Sequence, residues 1–313
     1  METTLEASSR RESTKLLSRT MLSKHVCPTR LGTVTLDRLR PSHVDSWVLE
    51  LRGRMKAGAG GEPVRGLSDA TIERAFQVLR SCLGDAVRDG LLASNAAAKA
   101  ERPTAAKKEA RCLAPDEVAS ILAAAKGTRH WALFALIAST GVRRGEALAL
   151  RWDDVDLALG TITVRGTLQR LNGHLVISEP KTAKSRRVLA PSPRVIEMLR
   201  EHRKAQLAER LRAANVWHET GHVFVTEAGL PVDPRNALRA FTTAAAKAGV
   251  AGASIHTLRH SAATTMLDNG VHLKAVSELL GHSGTQITAD TYAHLTTGTA
   301  KRAMDSLSEA LGF

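Results

Sequence analysis

The stretch SIHTLRHSAATTML…LLGHSGTQITADTYAH, at residues 254–294, decides how the rest of the chain is interpreted. His256 and Arg259 are three residues apart, so on one helix they project from the same face. His282 follows, and ten residues later comes Tyr292, the only tyrosine of the chain. Arginine can hold phosphodiester oxygens, imidazoles can move protons and a phenol can attack phosphorus. The spacing therefore indicates phosphodiester chemistry; the plainer alternative is an ordinary helix start and an ordinary amphipathic tyrosine.

The motifs in this stretch resemble those of the tyrosine recombinases, specifically the phage-type integrases. HTLRH at 256–260, LGH at 280–282 and Tyr292 have that family's order and spacing. An earlier segment, TGVRRGEALALRW at 140–152, is similar to the one that carries the family's first arginine, here Arg143.

The resemblance is strong over roughly residues 105–300 and looser over residues 30–95. It implies a mainly α fold with a small antiparallel sheet (α+β). A helical SAM-like core-binding domain would be followed by a tyrosine-recombinase catalytic domain.

Composition fits a two-domain protein with a polyanionic partner. The chain has 313 residues and a formal net charge of +13, and both halves are basic. Aromatic residues make up only 3%, which argues against a stacking platform for single-stranded nucleic acid. Three scattered cysteines without CxxC spacing indicate reduced thiols in a cytosolic protein.

Helical periodicity and linker composition predict five segments. Residues 1–27 are a polar N-terminal segment with a first helix, 28–98 the helical core-binding domain, and 99–112 a linker rich in Ala, Lys and Glu. Residues 113–297 form the catalytic domain, and 298–313 an amphipathic helix that could pack on a neighbouring protomer. Many phage integrases begin with an extra arm-binding domain, so we expect that this type lacks one or that the chain is shortened.

Three strand patterns, at 161–166, 174–180 and 185–191, predict a three-stranded antiparallel sheet with Lys181 at the tip of its last hairpin. By local physics such a lysine is simply solvated. The resemblance implies that Lys181 is the catalytic lysine, with Lys184 as its nearest rival.

The resemblance also implies a role for each polar residue. Tyr292 would attack the scissile phosphate and form a 3′-phosphotyrosyl link, with His256 as its general base. Arg143 and Arg259 would hold the charge of the transition state, and His282 would donate a further hydrogen bond to the phosphate.

Two more residues complete this expected site. Lys181 would protonate the leaving 5′-oxygen, since a lysine in a cationic site can have a lowered pKa. Glu146 lies three residues after Arg143 and would orient it, the alternative being a plain surface ion pair. His260 is more simply explained as a structural histidine.

One phosphodiester is exchanged for a similar ester, so we expect no cofactor, no ATP and no metal. The HExxH spacing at His218, Glu219 and His222 resembles a zinc site, but Gly221 interrupts the helix that such a site needs. The glycine-rich segment 56–66 is predicted to be a flexible loop, because no strand or GK[ST] motif marks a phosphate-binding loop.

The resemblance implies double-stranded DNA and further copies of the chain as partners, assembled on DNA as a homo-tetramer. Accessory DNA-bending or directionality proteins are candidate partners. We expect no membrane association and a cytoplasmic, nucleoid-associated protein encoded by a bacterium or phage, because no apolar run is long enough to span a bilayer. Two alternatives stay open: a type IB-like topoisomerase, and a catalytically silent DNA-binding remnant.

Overall fold

The computed structural model describes residues 5–6, 8–58, 61–106, 111–179 and 186–281. The chain divides into two compact units, unit 1 (Met1–Lys108) and unit 2 (Glu109–Phe313). None of the helices in the described ranges is long and apolar enough to cross a membrane.

Unit 1 is mainly helical around a small core of its own. Its elements are α1 (Glu12–His25), α2 (Pro41–Gly53), β1 (Met55–Ala57), β2 (Pro63–Arg65), α3 (Asp69–Arg88) and α4 (Ala96–Lys99). Ser68 caps the start of α3, since its side chain accepts a hydrogen bond from the Thr71 backbone N–H. The apolar stripe of α3 packs with α2 around Trp47, which is almost completely buried.

Two details of unit 1 differ from the sequence-based expectation. The helical pattern of the sequence predicts a first helix from Leu16, but the helix begins four residues earlier, at Glu12, and its Leu22 lies in the core. The predicted flexible loop at 56–66 instead contains a hairpin, in which Lys56 pairs with Val64. Strands of only three residues are too short for their alternation to be recognised in a sequence.

Unit 2 holds the larger core. Its helices are α5 (Pro115–Ala125), α6 (Trp131–Thr140), α7 (Arg144–Ala149), α8 (Pro193–Ala213), α9 (Pro234–Lys247), α10 (Ile255–Asp268) and α11 (Leu273–Leu280). Residues 132–137 of α6 are all buried, as its apolar sequence predicts, and α5, α7, α8 and α10 pack around it. The predicted fold class, mainly α with small antiparallel sheets, is confirmed.

The strands of unit 2 form two sheets, so the predicted three-stranded sheet was wrong in its membership. They are β3 (Val155–Asp156), β4 (Thr161–Val164), β5 (Thr167–Leu171), β6 (His174–Ser178) and β7 (Arg187–Leu189). Among the described strands, one sheet has the order β3-β4-β7, and β5 and β6 form a second sheet.

The turn between β5 and β6 explains that error. Asn172 and Gly173 both have positive φ, which is the conformation of a two-residue hairpin turn. The turn pairs the strand before it with the strand after it, so residues 174–178 join β5 instead of β4. Lys181 and Lys184, predicted on the last hairpin, lie outside the described residues.

Candidate active site

Four of the seven predicted site residues lie in the described part of unit 2. Arg143 immediately precedes α7, Glu146 is in the first turn of α7, and His256 and Arg259 are one turn apart on α10. The other three, Lys181, His282 and Tyr292, lie outside the described residues, as does the predicted C-terminal helix.

Arg143 and Glu146 form the ion pair expected from their spacing, but the pair is not a plain surface one. Arg143 Nη1 donates to Glu146 Oε1 at 2.8 Å, and the Arg143 backbone N–H donates to Oε2 at 3.0 Å. The Glu146 side chain is only 7% exposed, against 38% for Arg143. The carboxylate therefore acts from inside the protein, and it fixes both the start of α7 and one edge of the guanidinium.

Three arginines share the carbonyl oxygens at the C-terminal end of α11, and we call Arg143, Arg187 and Arg259 together the arginine cluster. The hydrogen bonds run from Arg187 Nε to Leu279 O at 2.6 Å, from Arg259 Nη2 to Leu280 O at 2.9 Å, and from Arg143 Nη2 to Gly281 O at 2.9 Å. The last carbonyls of a helix lack intrahelical donors, and that end of the helix attracts cations. The cluster thus supplies hydrogen-bond donors to these carbonyls and positive charge to this end of the helix, which directly precedes His282 in sequence.

Glu146 is also bonded to Arg187. Arg187 Nη2 donates to Glu146 Oε2 at 2.9 Å, and the two side chains are 8% and 7% exposed. Burial by itself would raise the pKa of Glu146, but the hydrogen bond and charge of Arg187, together with Arg143, outweigh it and hold that pKa below 4.5. A buried carboxylate thus links two members of the arginine cluster.

Two glycines permit this close packing. Gly141 and Gly281 have φ of +64° and +66°, in the left-handed region. A Cβ on Gly141 would lie 2.6 Å from Leu280 Cδ2, and one on Gly281 would lie 2.6 Å from Arg187 Nη1. The Gly141 carbonyl accepts a second hydrogen bond from Arg259, from Nη1 at 2.7 Å. Arg259 therefore joins the turn after α6 to the end of α11.

His256 lies at the edge of this group. His256 is exposed as a whole residue, although neighbouring atoms displace water from part of its ring. This partial desolvation lowers the pKa of His256 below 6.5, and the positive charges of Arg144, His260, Arg259 and Arg143 lower it further. The imidazole is thus neutral at pH 7 and can accept a proton.

The sequence reasoning missed Arg187 and Arg144. Arg187 begins β7, where Leu189 is buried and Val188 is exposed, so strand alternation points Arg187 to the inner face. That alternation was visible in SRRVL and could have distinguished Arg187 from exposed Arg186. Arg144 directly follows Arg143, and its partial burial lowers its pKa.

The HExxH spacing has no helix to support it. Residues 217–221 are non-helical, and His222 forms an isolated bridge with Arg151 next to Gly221. His218 and His222 therefore do not share a helix face, and the described pairing of residues 222–226 consists of isolated bridges at His222 and Val225. Across the described ranges, no group of three His, Cys, Asp or Glu side chains is arranged to hold a metal ion.

Comparison with known proteins shows the family to which the chain belongs. The sequence model of the phage integrase family matches residues 111–298, which is more than half of the chain. The chain belongs to the phage integrase family of tyrosine recombinases. A curated XerC-like tyrosine recombinase of Caldanaerobacter subterraneus is 34% identical over 78% of this chain and 67% of its own length. An integrase of Streptomyces ambofaciens is 32% identical over 86% and 68%, respectively.

Solved integrase structures have the same fold. The Tn1549 transposon integrase in complex with transposon right end DNA has a TM-score of 0.78 at 22% identity, covering 97% of this chain and 96% of that one. The lambda integrase tetramer bound to a Holliday junction has a TM-score of 0.67 at 15% identity, covering 93% and 74%. At these identities the likeness establishes the fold of this integrase-family chain, and the named relatives establish recombination as the family's activity.

Proposed function

We propose that this protein is a site-specific DNA recombinase that cuts and rejoins duplex DNA through a 3′-phosphotyrosyl intermediate at Tyr292. One observation carries the proposal: Arg143, directly before α7, and Arg259, on α10, converge on the two carbonyls that precede His282. His256, one turn from Arg259, is a neutral base beside them. These are the residue types that in-line attack on a phosphodiester requires.

The arginines stabilise the transition state. The pentavalent phosphorus carries extra negative charge on its equatorial oxygens, and guanidinium groups meet that charge with fixed, always ionised donors. Arg143 is the more accessible of the two, since its side chain is 38% exposed. Arg259 is 7% exposed as a residue and supports the site from inside. His282 donates a further hydrogen bond to the phosphate in this proposal.

Two proton transfers accompany the exchange of esters. The Tyr292 oxygen bonds to phosphorus as the bond to the 5′-oxygen breaks, and the phenol proton passes to His256. A phenol with a pKa near ~10 needs that help at neutral pH. Lys181 gives a proton to the departing 5′-oxygen. Religation reverses the steps with a 5′-hydroxyl from a second site, so the cycle needs neither ATP nor metal.

Double-stranded DNA is the proposed substrate, and a homo-tetramer on DNA is the proposed active form. The net charge of +13 supports a polyanionic partner. Integrases of the same fold have been solved on DNA, and that of lambda as a tetramer on a Holliday junction. Accessory proteins that bend DNA or set direction are further proposed partners.

Covalent capture on randomised duplexes tests the proposal and identifies the target site in the same experiment. Duplexes with nicks at varied positions are incubated with the protein and washed under denaturing conditions. A cut beside a nick releases a short 5′-hydroxyl fragment, so the phosphotyrosyl adduct accumulates. Sequencing the retained DNA yields the site, and duplexes carrying it serve in all later assays.

Tyr292→Phe is the decisive control, because it removes only the nucleophilic oxygen. We expect it to bind the selected duplex with unchanged affinity and salt dependence and to form no adduct. An adduct retained in Tyr292→Phe would contradict the assignment, since the chain has no other tyrosine. Specific binding without any wild-type adduct would favour the silent remnant, and plasmid relaxation without strand exchange would favour the topoisomerase.

A further inference from the structure

Arg187 lies where three elements meet, and it has no part in the catalytic roles proposed above. It begins β7, which pairs with the central strand β4 of its sheet, and in sequence it lies six residues after Lys181. Its side chain contacts two other elements, donating from Nε to Leu279 O and from Nη2 to Glu146 Oε2. A single guanidinium thus joins the sheet, the end of α11 and the start of α7.

Both of these contacts lead to a proposed catalytic group. Glu146, which accepts from Arg187, also accepts from the side chain and the backbone N–H of Arg143. Leu279 stands two residues before Gly281, whose carbonyl Arg143 holds and after which His282 follows. Displacement of Arg187 would therefore disturb Arg143 both through the carboxylate and through the helix end.

The contacts require the shape of arginine and not only its charge. Nε and Nη2 donate to different partners, and the planar guanidinium holds those directions fixed. A lysine keeps the positive charge but presents a single ammonium on a flexible stem. The side chain is 8% exposed, so solvent offers little compensation for a lost hydrogen bond.

We propose that Arg187 is a positioning residue for strand cleavage, which sets Arg143 and the chain entering His282 in their reactive arrangement by bridging Glu146 and Leu279. The proposal rests on the proposed recombinase function. Arg187 does not contact the scissile phosphate in this mechanism; it acts through Arg143 and the end of α11. A displacement of about 1 Å in a reacting group can cost ~10²-fold in rate.

The test compares Arg187→Lys with Arg186→Lys. Arg186 is the adjacent residue, has the same charge, and makes an exposed ion pair with Glu179 at 3.3 Å, the two side chains being 62% and 83% exposed. The measurements are the single-turnover rate of adduct formation at saturating nicked duplex, the duplex affinity and the thermal unfolding midpoint.

We expect Arg187→Lys to slow adduct formation by about 10- to 100-fold, with duplex affinity unchanged and the fold retained. Arg186→Lys should keep the wild-type rate. A purely structural role would lower the unfolding midpoint of Arg187→Lys and leave the rate per folded molecule intact, and that result would overturn the proposal. Equal losses of rate and affinity would also overturn it, because they would assign Arg187 to DNA binding.

A double-mutant cycle covers the case in which Arg187→Lys does not fold. Arg187→Met combined with Glu146→Gln removes both buried charges together, which avoids leaving one of them unpaired. If Arg187 acts through Glu146, the double variant should be no slower than the slower single variant that folds. Additive losses of rate would show that Arg187 does not act through Glu146, and they would contradict the proposal. The wild-type protein separates the two proposals. If it forms no adduct, the proposed function fails; if it forms one, the variants test only the role of Arg187.

Discussion

His256 and Arg259 are one turn apart on α10, yet their surroundings give them opposite properties. Arg259 is buried, and two backbone carbonyls, those of Gly141 and Leu280, fix its guanidinium. His256 is near the start of the helix with its surface exposed. Partial burial of the ring, and then the nearby positive charges, disfavour protonation there and lower the pKa of His256. The histidine is thus suited to accept a proton, and the arginine to hold position.

The lowered pKa of His256 predicts where activity falls in acid. A neutral base is lost as pH drops through its pKa, which lies below 6.5 in the free protein. The rate of adduct formation at limiting duplex reports the free protein, so its acid limb should have a midpoint below pH 6.5. His256→Gln should abolish that limb and lower the rate by ~10²–10⁴-fold.

His260→Gln is the matched control on the same helix. His260 contributes to lowering the pKa of His256, so its replacement should move the acid limb toward pH 6.5 without removing it. An acid limb that persists unchanged in His256→Gln would assign the titration to another group, and His256 would no longer be the candidate base.

At the scale of elements, the end of α11 is where the site is assembled. Three carbonyls there are each held by an arginine from a different element: β7, α10 and the segment before α7. Leu280 of the same helix packs with Ala263 and Val276 in a small cluster separate from the main core. The helix is only eight residues long, so these outside contacts, more than its own hydrogen bonds, hold it in place.

Gly281→Ala should therefore impair the site beyond its effect on backbone strain. Left-handed backbone costs a non-glycine residue about 1–3 kcal/mol, and the added Cβ would also meet Arg187 Nη1 at 2.6 Å. Gly270→Ala is the matched control, since Gly270 has φ +80° but nothing within 4 Å of its Cβ. Urea unfolding and adduct rate are measured for both variants.

Both variants should lose stability from strain, whereas only Gly281→Ala should also lose rate at saturating duplex. Equal behaviour of the two variants would show that the contact with Arg187 has no consequence for the site. A loss of rate in Gly270→Ala alone would contradict the prediction that the C-terminal end of α11 positions the site.

At the scale of the whole molecule, two separate hydrophobic cores predict two independent folding units. Unit 1 buries Trp47, Phe76 and their neighbours in one cluster, and unit 2 surrounds Phe134 and Phe241 in another. A fragment of residues 111–313 should therefore unfold cooperatively on its own.

The same fragment should still form the covalent adduct, but it should bind DNA less tightly. All residues assigned to chemistry lie in it, whereas the basic side chains of unit 1 would no longer neutralise phosphates. We expect adduct formation at high duplex concentration, weaker affinity and a shallower dependence of log affinity on log salt than in the full chain. An unchanged slope of log affinity against log salt would show that unit 1 does not contact the DNA phosphates.

Local sequence signals mark the ends of several helices of unit 2. Proline and acidic residues mark the start of α5, Gly141 ends α6, Ser254 caps α10 and Gly281 ends α11. Each of these signals acts within one turn of the chain, so it can be seen without the fold. The domain boundaries and the roles of Lys181, His282 and Tyr292 remain predictions, the latter three lying outside the described residues.

The sequence by itself determined the fold class, the family and the spacing of the polar residues, because these depend on local periodicity and on ordered motifs. Only the tertiary structure decided that β4 pairs with β7 and that Arg187 and Glu146 form a buried pair. Arg187 and Leu279 are 92 residues apart, and Arg187 and Glu146 are 41 apart. No local pattern encodes contacts at such separations, since they arise when β7, α7 and α11 pack together. Strand alternation could mark Arg187, unlike Arg186, as facing inward, but it could not show which groups Arg187 meets there.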